Sequence, residues 1–317
     1  MRLFQRVKRF QNRVAESRYA LPLMVMYAAG IWLLGGLLEG MWYAQFAMLL
    51  LSTYLMVELN NTNALLHMYS RMVSCTFLAL SSMAVFLFPS IGVAVCTLCL
   101  IMFCTIIFHT YQDKASPGLT YYAFLCLGIA SLVFVKIVYF VPFLWLMMAF
   151  SLMAFSPKML WASLLGLITP YWFTVGIAAY LGKMDWMVTH FASIASFHQV
   201  FDYTSLSRPQ LLSFMFVLLI AMLSIGHYMW KRRLDRIRTR MIYHFFITLD
   251  LLIILFIVLQ PQHFSCLFAM MIVCTSPLIA HFIAHTNSQL SNVVFYIILT
   301  VTLLLTALNL WTYSLNS

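Results

Sequence analysis

The stretch Lys231-Arg232-Arg233-Leu234-Asp235-Arg236-Ile237-Arg238-Thr239-Arg240 places six positive charges within ten residues of an otherwise apolar sequence. Long apolar runs lie on both sides of it. Short loops rich in lysine and arginine stay on the cytoplasmic side of a bilayer. The stretch therefore predicts a cytoplasmic loop at residues 230–240, and it gives a direction to the membrane spans before and after it.

The composition excludes a water-soluble globular protein. Of the 317 residues, 64% are hydrophobic and only 8% are charged, and the mean hydropathy is +0.95. A spanning helix needs about 20 mainly apolar residues, and a lipid-embedded backbone must satisfy its own hydrogen bonds. Apolar runs of this length without period-two alternation predict an all-α fold, a polytopic transmembrane helical bundle. The net charge of +10 is concentrated beside the spans, which favours contact with membrane lipid and argues against nucleic acid.

The apolar runs predict ten or eleven spans in a single integral membrane domain covering residues 1–317. The spans are expected at 20–38, 41–57, 72–88 and 90–109, as a short pair within 118–155, and at 158–181, 210–229, 241–259, 264–285 and 293–313. A short pair is typical of a cavity inside the bilayer. Pro142, Pro170 and Pro277 fall within apolar runs, and we expect helix kinks at all three.

The distribution of charge predicts the orientation of the bundle. The basic segment 1–19 precedes the first span and is expected to stay in the cytoplasm. Of the eighteen lysines and arginines, fifteen then lie on the cytoplasmic side, and only Lys136, Lys183 and Arg208 lie outside. The longest loop, 182–209, also lies outside, and its helical spacing of apolar and polar residues predicts an amphipathic helix in the outer interface.

A family resemblance covers residues 133–173. It rests on Val138-Tyr139-Phe140-Val141-Pro142 and on Trp161-x-x-Leu164-Leu165-Gly166-Leu167-Ile168-Thr169-Pro170-Tyr171. The stretch resembles an uncharacterised family of Gram-negative bacterial polytopic inner-membrane proteins, and the similarity extends loosely over residues 60–175, including Arg71-Met72-Val73-Ser74. The resemblance implies a multi-pass protein of the bacterial inner membrane. It implies no activity, and it carries over no catalytic residues.

Two charged residues are expected inside the bilayer. Asp250 lies near the middle of the span 241–259, and Lys136 interrupts the short pair. A charged aspartate at the bilayer centre costs about 2.5–3.5 kcal/mol, so such residues mark candidate functional sites. One hypothesis is therefore a secondary transporter that uses Asp250. The structural alternative is a carboxyl group bonded to a neighbouring Ser, Thr or Tyr.

The outer face provides a candidate catalytic set of Glu39, His190, Asp202 and Arg208. Enzymes that act on polyprenyl-phosphate-linked sugars need an acid or histidine to activate a hydroxyl group, and cations to hold the phosphates. An interfacial helix beside a lipid-sized cavity suits such a substrate. The leading hypothesis is therefore envelope glycan or lipid-carrier metabolism at the outer face. The alternative is a solvated loop that only covers the bundle.

The inner face carries a candidate metal site. His281-x-x-x-His285 places two imidazoles on one helix face, a spacing that metal sites use. Other histidines are expected near the same ends of the spans: His67, His109, His227 and His244. Iron would suit such a set, because neutral imidazole binds it readily. The repeated histidine motifs of membrane hydroxylases are missing, so no cofactor is predicted in the leading hypothesis and iron is the alternative.

The sequence excludes some chemistry and leaves other roles open. It contains no Walker motif and no Rossmann glycine fingerprint, so it gives no sign of ATP hydrolysis or nicotinamide chemistry. All seven cysteines lie in apolar runs, and we interpret them as buried hydrophobic residues. A non-catalytic subunit of a membrane complex, with unknown protein partners, is a further hypothesis.

Overall fold

The computed structural model describes residues 9–66, 68–196, 200–204, 206–231 and 235–316. These ranges are 82% helix and contain no strand, which confirms the all-α prediction. The α-helices are α1 (Phe10–Glu16), α2 (Ala20–Leu34), α3 (Tyr43–Asn63), α4 (Met72–Met83), α5 (Ile91–Ile107), α6 (Pro117–Val133), α7 (Val141–Phe150), α8 (Pro157–Tyr180), α9 (Met184–Ala195), α10 (Arg208–Lys231), α11 (Ile237–Leu259), α12 (Phe264–His285) and α13 (Gln289–Asn316). Short 3-10 helices occupy Val85–Leu87, Phe108–Thr110, Val135–Phe140 and Pro261–His263.

Six of the described helical segments are long and apolar enough to cross a membrane. They are Ile91–Thr110, Pro157–Tyr180, Arg208–Lys231, Ile237–Leu259, Pro261–His285 and Gln289–Leu315. Helices α1 and α2 would add a seventh if they form one broken span, although they meet at an angle of 89°. The apolar helices α4 and α6 and the segment 135–150 are shorter, and at 1.5 Å per residue a 12-residue helix covers only about 18 Å. The helices thus lie where spans were expected, but only six have the full length and composition.

Helix α12 forms the centre of the bundle. In its most apolar window 94% of the residues are buried, against 22% in α8 and α13. A helix that is apolar on all sides is stable only when other helices surround it. Helices α4, α5, α10 and α11 all pack against α12. The last turn of α12, which carries His281 and His285, is therefore held by the core of the protein.

The three prolines expected to kink helices differ in position. Pro142 lies in the first turn of α7, where the missing N–H has no partner to lose, so this proline starts a helix. Pro170 lies inside α8, and Pro277 lies inside α12. Each of these two removes one hydrogen bond from the interior of its helix.

The ends of the helices meet in two groups. At one end, Arg238 at the start of α11 donates to the side-chain oxygen of Asn63 at 3.0 Å and to the carbonyl of Phe108 at 3.3 Å. Gln11 of α1 donates to the hydroxyl of Thr286 at 2.8 Å, beyond the end of α12. We call this group the basic end. Residues 1–8, His67 and residues 232–234 also belong to the expected cytoplasmic side, but they lie outside the described residues.

The other group of helix ends forms the opposite end of the bundle. The side-chain amide of Asn309 donates to the carbonyl of Met83 at 2.7 Å, which joins the end of α13 to the end of α4. Trp32 and Phe88 stack with ring centroids 3.9 Å apart. The hydroxyl of Tyr203 donates to the carbonyl of Val258 at 3.0 Å. The expected outer loop 182–209 therefore lies at this end, with residues 197–199 and 205 outside the described part.

Helix α9 occupies the part of this loop for which an amphipathic helix was expected. Of its twelve residues only Met187 is buried. Its position at a membrane interface remains a prediction.

Two glycines allow α6 and α8 to pack backbone against backbone. A Cβ atom added to Gly166 would lie 2.5 Å from the carbonyl oxygen of Tyr121, and one added to Gly128 would lie 2.8 Å from that of Leu167. Backbone atoms cannot move aside as a flexible side chain can. Small residues at these positions are therefore required for the close contact, as in many membrane helix pairs.

We expect Gly166→Ala to lower the thermal unfolding midpoint of the protein in detergent by about 5 °C. Overpacking costs about 1–3 kcal/mol, and each kcal/mol corresponds to roughly 2–4 °C in a large domain. Differential scanning fluorimetry measures the midpoint. Gly176→Ala on the same helix is the matched control, because a Cβ atom there meets nothing within 4 Å. Equal midpoints for the two variants would contradict the close α6–α8 contact.

Candidate functional site

Three possible metal ligands converge at the basic end. His281 and His285 lie four residues apart on the last turn of α12, and their rings stack with centroids 4.3 Å apart. Asp235 comes from the basic stretch, just before α11, and its Oδ2 lies 3.2 Å from Nε2 of His281. One ligand atom from each of the three residues lies within 4.8 Å of the other two. Such a cluster is small enough for a single metal ion to reach all three.

Two tyrosines surround the imidazole of His281. The ring of Tyr228 from α10 lies 5.1 Å from it, and the ring of Tyr243 from α11 lies 5.0 Å from it, both nearly edge to face. The hydroxyl of Tyr243 donates to the carbonyl of Leu65 at 3.3 Å, which fixes this ring in place. His281 is only 2% exposed and Asp235 only 8%. The packing therefore holds one side of the cluster rigid and dry.

Several imidazole nitrogens near the cluster are enclosed without a hydrogen-bond partner in the described part of the chain. They are Nδ1 of His281 and both ring nitrogens of His227, whose ring centroid lies 6.2 Å from that of His281. Enclosed polar atoms are almost always paired, and an exception points to an ion, a water molecule or a ligand. These atoms provide a second indication that the cluster binds something.

The ligand set defines what the cluster can hold. Two neutral imidazoles and one carboxylate bind Zn²⁺ or Fe²⁺, and they occupy only three coordination positions. Sites with three protein ligands keep a position for water or substrate, whereas structural zinc sites are closed by four. The arrangement therefore has the composition of a catalytic metal site.

A cavity of about 660 Å³ lies beside the cluster. It is bounded by α1, by the ends of α10 and α12 and by the start of α13. His285 lines this cavity and also belongs to the ligand set. A substrate in the cavity would reach the cluster at His285.

Asp250 lies in the middle of the bundle and is fully buried. Its two carboxylate oxygens lie 3.1 and 3.2 Å from the hydroxyl of Thr275 on α12, and this hydroxyl is also 2.8 Å from the carbonyl of Met271. These contacts match the structural alternative given above, a carboxyl group bonded to a neighbouring threonine. Asp250 does not line the cavity beside His285 or either of two others, one beside Trp32 and one beside Lys183.

The four outer-face residues have local contacts. Glu39 lies in the turn between α2 and α3 and is exposed, as is Arg208 at the start of α10. His190 stacks on Trp186 at 5.3 Å, and Asp202 accepts from the backbone amide of Thr204 at 3.1 Å. None of these contacts joins two of the four, and none of the four lines a cavity described above. Their catalytic role remains a prediction.

Lys136 connects three segments at the opposite end. Its ammonium group donates to the carbonyl of Ser196 at 2.7 Å and lies 2.6 Å from Nε2 of His263. The hydroxyl of Tyr139 donates to the carbonyl of Ile194 at 2.6 Å. The contacts to Ser196 and Ile194 join the 3-10 helix 135–140 to the end of α9. Lys136 thus has a structural explanation, since it fixes α9 to the bundle.

Comparison with protein-family models, with curated proteins and with solved structures found no match. The resemblance to an inner-membrane family over residues 133–173 therefore remains a prediction.

We expect Lys136→Met to release α9 while the bundle stays folded. Loss of the two contacts at residues 196 and 263 should increase hydrogen–deuterium exchange at least tenfold across the last turn of α9, since local opening depends on few tertiary contacts there. Lys183→Met, at the exposed start of α9, is the control. Similar exchange in the two variants would show that Lys136 does not hold the helix.

Proposed function

We propose that this chain is a metal-dependent membrane enzyme whose ion is bound by Asp235, His281 and His285 at the basic end of the bundle. The observation that carries the proposal is the convergence of these three ligands within 4.8 Å, two from the most buried helix and one from the basic stretch. The metal is a divalent first-row ion, iron or zinc, because imidazole and carboxylate together suit both.

Each ligand has a distinct role in this proposal. His281 is the rigid ligand, because the rings of Tyr228 and Tyr243 pack against it. Asp235 supplies negative charge, which lowers the net charge of the bound ion. His285 lies at the boundary with the cavity, so the open coordination position is expected on that side. A metal-bound water at such a position becomes a strong nucleophile at neutral pH.

The placement of the enzyme in a membrane is also part of the proposal. Six helices of sufficient length and apolarity support membrane insertion. We infer that the shorter apolar helices also contribute, giving ten or eleven spans, and that the basic end with the N-terminus faces the cytoplasm of a bacterial inner membrane. Helix α9 would then lie in the outer interface.

Two earlier hypotheses receive less support from the contacts. Lipid-carrier metabolism at the outer face needs Glu39, His190, Asp202 and Arg208 to act on one substrate, and none of the four lines one of the three cavities described above. Transport through Asp250 needs access to the carboxyl group, which is fully buried and lies beside the hydroxyl of Thr275.

We expect the purified protein to contain about one equivalent of iron or zinc per chain, and Asp235→Asn and His281→Gln to lose most of it. Removal of one of the three ligands should weaken metal binding by at least about 10-fold to 100-fold. The loss of a residue that only hydrogen-bonds to a metal ligand already has an effect of this size. Inductively coupled plasma mass spectrometry gives the content. Titration of metal-free protein with Co²⁺ gives the affinity through visible ligand-field bands.

His109→Gln is the matched control for these variants. His109 lies near the same end of the bundle but is exposed, with Nδ1 2.7 Å from the carbonyl of Thr105. The 3.2 Å contact between Asp235 and His281 also has the length of a hydrogen bond. If the purified protein contains no metal and Co²⁺ produces no ligand-field bands, the cluster is only a structural hydrogen bond and the proposal is refuted.

The orientation is tested with single engineered thiols. We expect Arg236→Cys, an exposed position at the basic end, to be protected from a membrane-impermeant maleimide in intact cells and to react after lysis. Lys183→Cys, exposed at the opposite end, should react in intact cells. Six native cysteines are buried and Cys266 is half-buried, so we expect little maleimide labelling of the protein without an engineered thiol. The reverse labelling pattern would invert the proposed orientation.

A further inference from the structure

The cavity at the basic end carries positive charge. Its lining consists of Arg9, His227, Trp230, Lys231, Phe282, His285, Thr286, Asn287, Ser288, Leu290 and Ser291. Among these described residues Arg9 and Lys231 are cationic, and none is acidic. A concave site with excess positive charge attracts anions and raises their local concentration.

Helix α1, which begins directly after Arg9, is held in place by a network of polar contacts. Gln11 donates to the hydroxyls of Thr286 and Ser291 at 2.8 and 3.2 Å, and Asn12 donates to the carbonyl of Thr286 at 3.0 Å. Phe10 stacks on Tyr296 of α13 with centroids 5.4 Å apart. Helix α1 is therefore fixed across the junction of α12 and α13, and Arg9 at its start is part of the cavity wall.

Lys231 also lines the cavity. It is the last residue of α10, and its ammonium group lies 3.5 Å from the carbonyl oxygen of His285, a weak contact that leaves hydrogen-bond donors available. The two cations thus come from elements far apart in sequence, but they line the same space. A guanidinium and an ammonium group together match the charge and the acceptor oxygens of a phosphate group.

The rim of the same cavity is apolar. Trp230 is 88% exposed and Leu290 is 76% exposed. Large exposed apolar side chains at the ends of spans lie at the level where lipid headgroups meet acyl chains. The ligand that fits both features has an anionic headgroup and a hydrocarbon chain.

We propose that this cavity binds the phosphate group of an anionic amphiphile, with Arg9 and Lys231 as its phosphate ligands and Trp230 and Leu290 against its hydrocarbon chain. The inference deepens the proposed function by making the amphiphile the substrate of the metal site. In this one respect it rests on the proposed function. His285 links the two sites, since it is a metal ligand that also lines the cavity. Phosphate binding itself depends on the two cations and not on the metal.

The test measures binding of dioleoyl phosphatidic acid to the detergent-purified, metal-loaded full chain by native mass spectrometry. Dioleoylglycerol is the probe without phosphate, and inorganic phosphate, measured by isothermal titration calorimetry, is the probe without a chain. We expect Arg9→Met and Lys231→Met each to weaken phosphatidic acid binding about tenfold, equivalent to about 1.4 kcal/mol. Lys114→Met, a cation of the loop before α6 that does not line the cavity, should leave it unchanged.

The outcomes separate this inference from the proposed function. Arg9→Met and Lys231→Met are compared with their parent in metal-free protein and in the Asp235→Asn background. Tenfold weaker phosphatidic acid binding in both settings would support the phosphate site even if the metal proposal fails. Inorganic phosphate bound as tightly as the lipid, with the same losses, would support the phosphate site and assign it to a soluble phosphate. The inference would be overturned if dioleoylglycerol bound as tightly as dioleoyl phosphatidic acid. It would also be overturned if Arg9→Met and Lys231→Met kept the wild-type thermal midpoint and bound phosphatidic acid as tightly as wild type. If either variant unfolds, Arg9→Lys and Lys231→Arg replace it, and lipid binding within threefold of wild type is expected.

Discussion

The burial of nearly all of α12 is the constraint on which the rest of the structure depends. A helix with 94% of its most apolar window buried must be covered by neighbours on almost every side, and α4, α5, α10 and α11 provide this cover. Each polar group on α12 then needs a partner from one of those helices. Thr275 contacts Asp250 of α11, and the carbonyl of Ser276 accepts from Thr76 of α4 at 3.0 Å. The same rule holds at its last turn, where the partner of His281 is Asp235.

The positions of the helices could be predicted from the sequence because their backbone bonds are local. The apolar runs expected at 264–285 and 158–181 correspond to α12 at Phe264–His285 and α8 at Pro157–Tyr180. The docking of α1 could not be predicted in this way. It depends on contacts of Gln11 and Asn12 with Thr286, about 275 positions away, and hydropathy carries no information on such pairs.

The candidate site was only partly visible in the sequence. The spacing of His281 and His285 indicated a metal pair, because residues four apart share one helix face. Asp235 carries no such spacing signal, because it stands among six cations in a stretch expected to form a cytoplasmic loop. The fold gives it a different surrounding, with 8% exposure beside His281. The presence of a single acid in an otherwise basic stretch is the sequence feature that could have drawn attention to it.

The depth of the polar groups in the bundle explains why the site lies at a helix end. A charge at the bilayer centre costs about 2.5–3.5 kcal/mol, and the cost falls towards the interface. Asp250, in the middle, has the hydroxyl of Thr275 beside it, whereas the basic end gathers Arg9, Lys231, Asp235 and the imidazoles of His281 and His285. In the proposed membrane placement, lipid headgroups would occupy the same depth as these groups. A metal ion held by the cluster would then meet a phosphorylated amphiphile in the cationic cavity without drawing it into the bundle, and this geometry would join the proposed ion and the proposed phosphate in one site.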